Sequence, residues 1–164
     1  MTRLRYETPE DETAIAALVT AAFLTAPHAD GNEAEIVARL RGADGLLLSL
    51  VAEDVGLVGH VSASPATVAG RPGWAAIAPV SVAPQFQGRG IGSALVRAAL
   101  ARLGATGASG AVLVGDPGYY GLFGFAARDG LTAAGIPSEY VLALPFGAVE
   151  PQGAILFHPA FDLA

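Results

Sequence analysis

The stretch Val80-Ser81-Val82-Ala83-Pro84-Gln85-Phe86-Gln87-Gly88-Arg89-Gly90-Ile91-Gly92-Ser93 constrains the fold more than any other part of the chain. An apolar run gives way to a turn rich in glycine, and the turn opens into a segment with helical apolar spacing, so a strand is joined to a helix through a glycine loop. Successive backbone N–H groups face outward at such a turn, and the helix dipole adds positive potential there. Glycines at 88, 90 and 92 let the phosphates of a ligand come close to the backbone. A pyrophosphate is the natural guest, with Gln87, Gly88, Arg89, Gly90, Ile91, Gly92 and Ser93 around it and Arg89 placed to add a charge-assisted contact.

Three nucleotide-binding patterns compete for this loop. All nine basic residues are arginine, so a Walker-type phosphate loop lacks its lysine, as does any Schiff-base chemistry. The dinucleotide fingerprint G-x-G-x-x-G, counted from Gly88, meets Ser93 where its last glycine belongs, and it sits mid-chain behind a run of strands instead of after a first parallel strand. The third pattern, Q/R-x-x-G-x-G/A, is matched by Gln87-Gly88-Arg89-Gly90-Ile91-Gly92.

The rest of the chain reads as one domain of α/β class, and its 164 residues are enough for one core. Leu4 and Tyr6 alternate with polar neighbours and predict a short first strand. Thr8-Pro9-Glu10-Asp11 is a helix start, followed by Ile15, Leu18, Val19, Ala22 and Phe23 at helical spacing. A second short helix is predicted over Glu33 to Leu40. Leu46–Glu53, Leu57–Val68 and Trp74–Val82 predict an antiparallel meander, the helix behind the glycine loop runs from about Ile91 to Leu103, and Ala111–Val114 is a short buried strand. A short helix through Tyr119 to Phe123 and strands near Glu139–Leu144 and Ala154–Phe157 complete the order β-α-α-β-β-β-α-β-α-β-β. This order predicts a mixed, mostly antiparallel sheet flanked by helices.

On these residues the chain resembles the GNAT acetyltransferases, with Val-Ala-Pro before the loop and Ser93-Ala94-Leu95-Val96 after it. Tyr120-Gly121-Leu122-Phe123-Gly124-Phe125 resembles the Tyr-x-x-x-Gly-Phe ending of that family, and the span from Leu57-Val58-Gly59-His60-Val61 to Phe125 is similar to its YhbS-like branch. The resemblance implies acetyl-CoA as cosubstrate, with the pyrophosphate on the loop and the pantetheine arm along Val80, Ser81 and Val82. It implies further that acetyl-CoA lies in an opening between two strands that splay apart near Val82. The Val82 N–H would polarise the thioester carbonyl and Tyr120 would protonate the departing thiolate. Asp116, where the family often has Asn, and Phe123 complete the implied cofactor-binding set. Homodimers are common in the family.

The acceptor side is less defined. The implied reaction is direct attack by a primary amine, on a small molecule or a peptide, and a base must take its proton. His60, Glu53, Ser81, Glu33 and Glu35 are candidates that no spacing separates. The absence of cysteine closes a thiol-based acyl-enzyme route, and His28 and His158 form no metal-ligand set with the acids, so no metal is expected. Net charge −6 argues against nucleic-acid binding. Residues 1–7 carry no apolar signal segment and Leu46–Ala52 is too short to cross a bilayer, so the expected setting is cytoplasmic and away from membranes. Three alternatives stay open: a non-catalytic acyl-CoA-binding module for sensing or assembly, an enzyme with a longer acyl donor, and a structural dimer partner that binds no coenzyme A. Trp74, Phe86, Phe146, Phe157 and Phe161 are expected in the core or at an interface.

Overall fold

The computed structural model describes residues 2–24, 26 and 29–162; His28 lies outside them. Strand β1 (Arg3–Tyr6) leads through a 3-10 turn at Pro9–Asp11 into helix α1 (Glu12–Phe23). Thr8-Pro9-Glu10-Asp11 therefore does start the helix, with a tighter first turn. The Asp11 carboxylate accepts the Thr8 N–H at 2.7 Å and receives Arg5 through two bonds of 2.7 and 3.0 Å. Those Arg5 bonds hold the Asp11 carboxyl well below the usual range. Helix α2 (Glu33–Gly42) carries acids in its first turn and Arg39 and Arg41 in its last, as the helix dipole favours.

Strands β2 (Leu48–Asp54), β3 (Gly56–Val68) and β4 (Arg71–Val82) form the predicted meander. Helix α3 (Ile91–Ala105) then crosses back to β5 (Gly110–Val114). After the four-residue helix α4 (Pro117–Tyr120) come β6 (Ala126–Ala127), β7 (Leu131–Thr132), β8 (Val141–Pro145) and β9 (Gly153–Leu156). The main path of the sheet is β1-β2-β3-β4-β5-β8-β6, antiparallel throughout except at β4–β5, while β9 lies against β3 and pairs parallel with β7. The expected mixed sheet is thus present. The sequence-based order lacks β6 and β7, because two residues between turns show no period to read.

The two faces of the sheet are covered differently. On one, Ile91, Leu95, Ala99 and Leu103 of α3 pack on Leu50, Ala52, Ala63, Ala75, Ile77 and Leu113. A side chain at Gly59 would press on this layer, since a Cβ there would lie 2.8 Å from Leu95 Cδ1. On the other face Ile15 and Val19 of α1 and Val37 of α2 meet Val51.

The feature that positions the site is the meeting of β4 and β5. Their parallel ladder joins Trp74, Ala75 and Ala76 to Gly110, Ala111 and Val112 and stops there. Beyond it β5 continues against β8 alone, and β4 runs to Val82 paired only with β3. A bulge assists the parting: Val61 faces Val80 while Ala63 faces Ile77, so Ala78 and Pro79 stand opposite Ser62. Ser62 Oγ donates to the Ala78 carbonyl at 2.8 Å, and Pro79 has no N–H to lose. Gly110 pins the joined end. A Cβ at this position would lie 2.5 Å from Trp74 Cζ3, 2.6 Å from the Leu144 carbonyl oxygen and 2.8 Å from Pro145 Cα.

A polar row crosses the sheet beneath α1 and α2. Arg5, Val51, His60 and Ser81 are cross-strand partners in turn and so share one face. His60 Nε2 lies 2.9 Å from Ser49 Oγ, Ser49 Oγ donates to the Glu7 carboxylate, and Arg41 grips Glu7 through bonds of 2.9 and 3.0 Å. Burial raises the Glu7 carboxyl, but Arg41 and Ser49 outweigh it and hold it below its ordinary value. Burial, with Arg41 adding to it and Glu7 opposing, lowers His60 to about 4.

Two expectations follow from this packing. Gly110→Ala should lower the free energy of unfolding by about 3 kcal/mol or more, because backbone atoms must give way. In contrast Gly42→Ala, where nothing lies within 4 Å of the added methyl, should stabilise by about 0.5 kcal/mol; denaturation midpoints check both. The second concerns pH. An unfolded His60 takes up a proton below about pH 6.5, whereas the folded one refuses it down to about pH 4. Stability is therefore full above pH 6.5 and falls as the pH drops through that window, by roughly 3 kcal/mol in all. In His60→Gln the part of this loss above pH 4.5, before carboxylates protonate, should vanish from a urea-melt pH series.

Candidate functional site

The site grows from the unpaired edge of β4. The Ala83 N–H bonds to the Val58 carbonyl of the β3 side at 2.9 Å, so by strand alternation Val82 and Val80 turn their own N–H and C=O groups to the opposite edge. That edge has lost β5. The Gln87 side-chain amide returns to donate to the Val82 carbonyl at 3.1 Å, which leaves the Val82 N–H directed at the opening. Ser81, between them, points its side chain to the other face of the sheet and is buried.

After a 3-10 turn at Pro84–Phe86 the chain reaches Gly88 and Gly90, with φ of 79° and 83°. Both lie in the left-handed region that favours glycine. Gly90 is the N-cap of α3, so the first N–H groups of a 15-residue helix point outward with the positive end of its dipole. Here a cleft of about 230 Å³ is walled by Val82, Phe86, Gln87, Gly88, Gly90, Ile91, Gly92, Ser93 and Tyr119. A methyl on Gly92 would stand 3.5 Å from the Tyr119 hydroxyl and 3.5 Å from Val82 Cγ2, filling space between strand and helix.

Seven of the expected residues therefore come together in these walls: Val82, Gln87, Gly88, Gly90, Ile91, Gly92 and Ser93. Arg89 stands on the exposed rim with its guanidinium 5.1 Å from the centre of the Phe86 ring. Val80 packs against the core behind the cleft. Asp116 is engaged locally: its Oδ1 accepts the Gly118 N–H at 2.9 Å and caps α4. Phe123 lies beneath Arg97, 4.8 Å from the guanidinium to the ring centre, and stacks edge-on with Tyr119.

The two tyrosines occupy different surroundings. Tyr119 is the phenol in the cleft wall, with its hydroxyl 3.1 Å from Ser93 Oγ. Tyr120 packs against the core, edge-on to Phe125 at 6.0 Å and over the bare face of Gly115, where a Cβ would lie 2.6 Å from its ring. Burial, and then the neighbouring Tyr119, push the Tyr120 phenol up to about 12, so it keeps its proton at neutral pH. Phe86, expected in the core or at an interface, packs on the core and also walls the cleft, where Tyr119, the neighbour of the expected acid, joins it. Their only local signal was adjacency to a motif, since the approach of α4 to the start of α3 is a long-range contact.

The candidate bases are also placed. Glu53 joins Arg3 and Arg5 in an ionic cluster at the β1 edge, Glu35 pairs with Arg39 on α2, and the Glu33 carboxylate accepts the Asp30 N–H. His60 and Ser81 belong to the buried polar row. No group of three or more His, Asp or Glu is arranged to hold a metal among the described residues, and no helix among them is long and apolar enough to cross a membrane.

Comparison with known proteins gives a consistent answer. The family model "Acetyltransferase (GNAT) family" matches residues 11–125. YhbS of Escherichia coli (strain K12), an uncharacterized N-acetyltransferase, is 37% identical over 125 residues, which cover 74% of this chain and 72% of that protein. Among solved structures, a GNAT family acetyltransferase from Brucella melitensis in complex with acetyl-CoA is 43% identical with a TM-score of 0.88, covering 99% of each chain. The Escherichia coli YhbS structure in complex with CoA is 28% identical with a TM-score of 0.89, covering 99% of this chain and 92% of that one. With the family model spanning most of its length and these relatives matching nearly all of its fold, the chain belongs to the GNAT acetyltransferase family.

Proposed function

We propose that this protein transfers an acetyl group from acetyl-CoA to a primary amine by direct attack. The observation that carries the reading is the joining of a glycine loop at the start of α3 to a strand edge left open by the parting of β4 and β5. Outward N–H groups at Gly88 to Ser93 suit a pyrophosphate, and the open edge of β4 suits an amide-bearing arm that pairs with Val80 and Val82 as a further strand would. The complexes of the Brucella melitensis and Escherichia coli relatives with acetyl-CoA and CoA support the same ligand here. Ser93 and Tyr119 offer the loop two hydroxyls beside its backbone donors.

In this reading the Val82 N–H donates to the thioester oxygen as negative charge develops there. A fixed backbone donor in a sheltered site needs no reorganisation, which makes such contacts worth several kcal/mol in water-excluded clefts. Tyr120 supplies the proton to the leaving sulfur: it is a phenol held neutral by burial. The amine acceptor is a small molecule or a peptide. Tyr119 is the second reading for the acid, because its hydroxyl is the one in the cleft wall.

Titration with acetyl-CoA by calorimetry should give micromolar binding that is lost in the double variant Arg89→Glu, Gly90→Asp. No binding by the folded wild type would sink the reading, and binding without coenzyme A release across a broad amine screen would favour a non-catalytic module. Tyr120→Phe should lower kcat by about 100-fold with the acetyl-CoA Kd nearly unchanged. Tyr119→Phe should instead weaken acetyl-CoA binding, and a reversal of these two effects would transfer the acid role to Tyr119.

A further inference from the structure

The polar row under α1 and α2 contains two atoms that the fold leaves without partners. His60 Nδ1 and Ser81 Oγ are both buried and unbonded, on residues 0% and 1% exposed. They belong to directly opposed residues of β3 and β4, whose Cα atoms lie about 4.5–5.5 Å apart in such a pair and whose side chains share a face. A hydroxyl and an imidazole nitrogen so placed, and not bonded to each other directly, can be joined through one water. A buried polar atom left unpaired costs about 1–3 kcal/mol; Ser64 Oγ on the same face is unbonded too, but only His60 and Ser81 place two such atoms on directly opposed residues.

The tautomer of His60 follows from the far end of the row. Glu7, ionised and held by Arg41, can only accept. Ser49 has one proton and gives it to Glu7, so its oxygen must accept at the contact with His60. The hydrogen therefore sits on Nε2, and Nδ1, the ring nitrogen not engaged by Ser49, keeps a bare lone pair. On β4 the residue that faces His60 is Ser81, which lies between the two valines whose backbone groups reach the open edge.

We propose that Ser81 and His60, oriented by Ser49 and Glu7, form the relay that takes the proton from the attacking amine. This rests on the acetyl-transfer reading above and assigns its missing base. As the amine nitrogen, coming to the thioester from the α1 and α2 face onto which Ser81 turns, bonds to the acyl carbon, its proton passes through one water to Ser81 Oγ while the Ser81 proton moves to His60 Nδ1. The carbon–sulfur bond breaks, the thiolate takes the Tyr120 proton, and the phenol and imidazole return to their starting states by exchange with solvent. The resulting imidazolium keeps its Nε2–H on Ser49. Of the charged groups around it, Glu7 after β1 favours that cation and Arg41 of α2 opposes it, while Glu12 of α1, 3.3 Å from Arg41, offsets part of the opposition. Because His60 is neutral at physiological pH, Nδ1 is always free to accept.

Two measurements test this. Long-range ¹⁵N–¹H NMR on labelled protein near pH 7, with the His60 signals identified by their loss in His60→Gln, should show Nε2 protonated and Nδ1 bare, with Nδ1 shifting in Ser81→Ala. Coenzyme A release is then followed from about pH 6 to pH 10 with butylamine as acceptor, its free-base concentration held constant and saturating at each pH. Both variants should lose about 100-fold in kcat with KM for acetyl-CoA little changed, and their rates should climb with pH where the wild type is flat. Gln can still donate to Ser49, and Ser81→Ala removes only an unpaired hydroxyl, so at least the latter should fold normally. A proton on Nδ1, or unchanged kcat and pH profile in Ser81→Ala, would overturn the relay. Failure of the wild type to bind acetyl-CoA would overturn the acetyl-transfer reading instead, and the NMR result would stand apart from it.

Discussion

A parallel ladder that stops after three residue pairs is the constraint on which the rest of this structure depends. Strands β4 and β5 are held together at Trp74–Ala76 and Gly110–Val112, then part, and everything with chemical potential gathers where they part. The parting has causes that can be named: the bulge at Ala78 and Pro79 bends β4, while β8 keeps β5 on its own course. A fully paired β4 would have no free backbone donors to offer. The glycine loop would then begin a helix over a closed sheet.

The two faces of the sheet meet different demands. The α3 face is aliphatic and close-packed, so α3 is fixed in direction and its N-terminus is fixed in place beside Val82. The α1 and α2 face includes Ser49, His60, Ser62, Ser64 and Ser81 under the same helices that cover Val51. Burying polar groups costs stability unless they are bonded. Ser49 is bonded through Glu7 and Arg41 and Ser62 through the Ala78 carbonyl, while Ser64 Oγ, His60 Nδ1 and Ser81 Oγ are left unbonded, the last two facing one another across β3 and β4.

Much of this was legible in the sequence because it is local. The strand–loop–helix segment announces itself through glycine spacing and the onset of apolar periodicity, and the meander through Leu46–Glu53, Leu57–Val68 and Trp74–Val82 needs only short turns to be read. Boundaries moved by a few residues: the first of these strands starts at Leu48, and the helix after the loop continues to Ala105. What was not legible is long-range. Tyr119 enters the cleft because α4 folds onto the start of α3, and the row Glu7–Ser49–His60–Ser81 is assembled by the register of four separate segments. No spacing along the chain marks those four as neighbours, which is why His60 and Ser81 could be named as candidates but not joined.

The side chain of Gln87 has a consequence of another kind. A strand with one edge open inside a sheet is a template for any other extended chain, and proteins with such edges risk aggregation. Here the template is incomplete, because the Val82 carbonyl is already occupied by Gln87. A foreign strand would find a ladder with a missing rung, while a ligand that needs only one or two of the remaining groups would not notice the gap. The same contact that shapes the cleft therefore acts as a guard, hindering strand addition to a sheet left ajar.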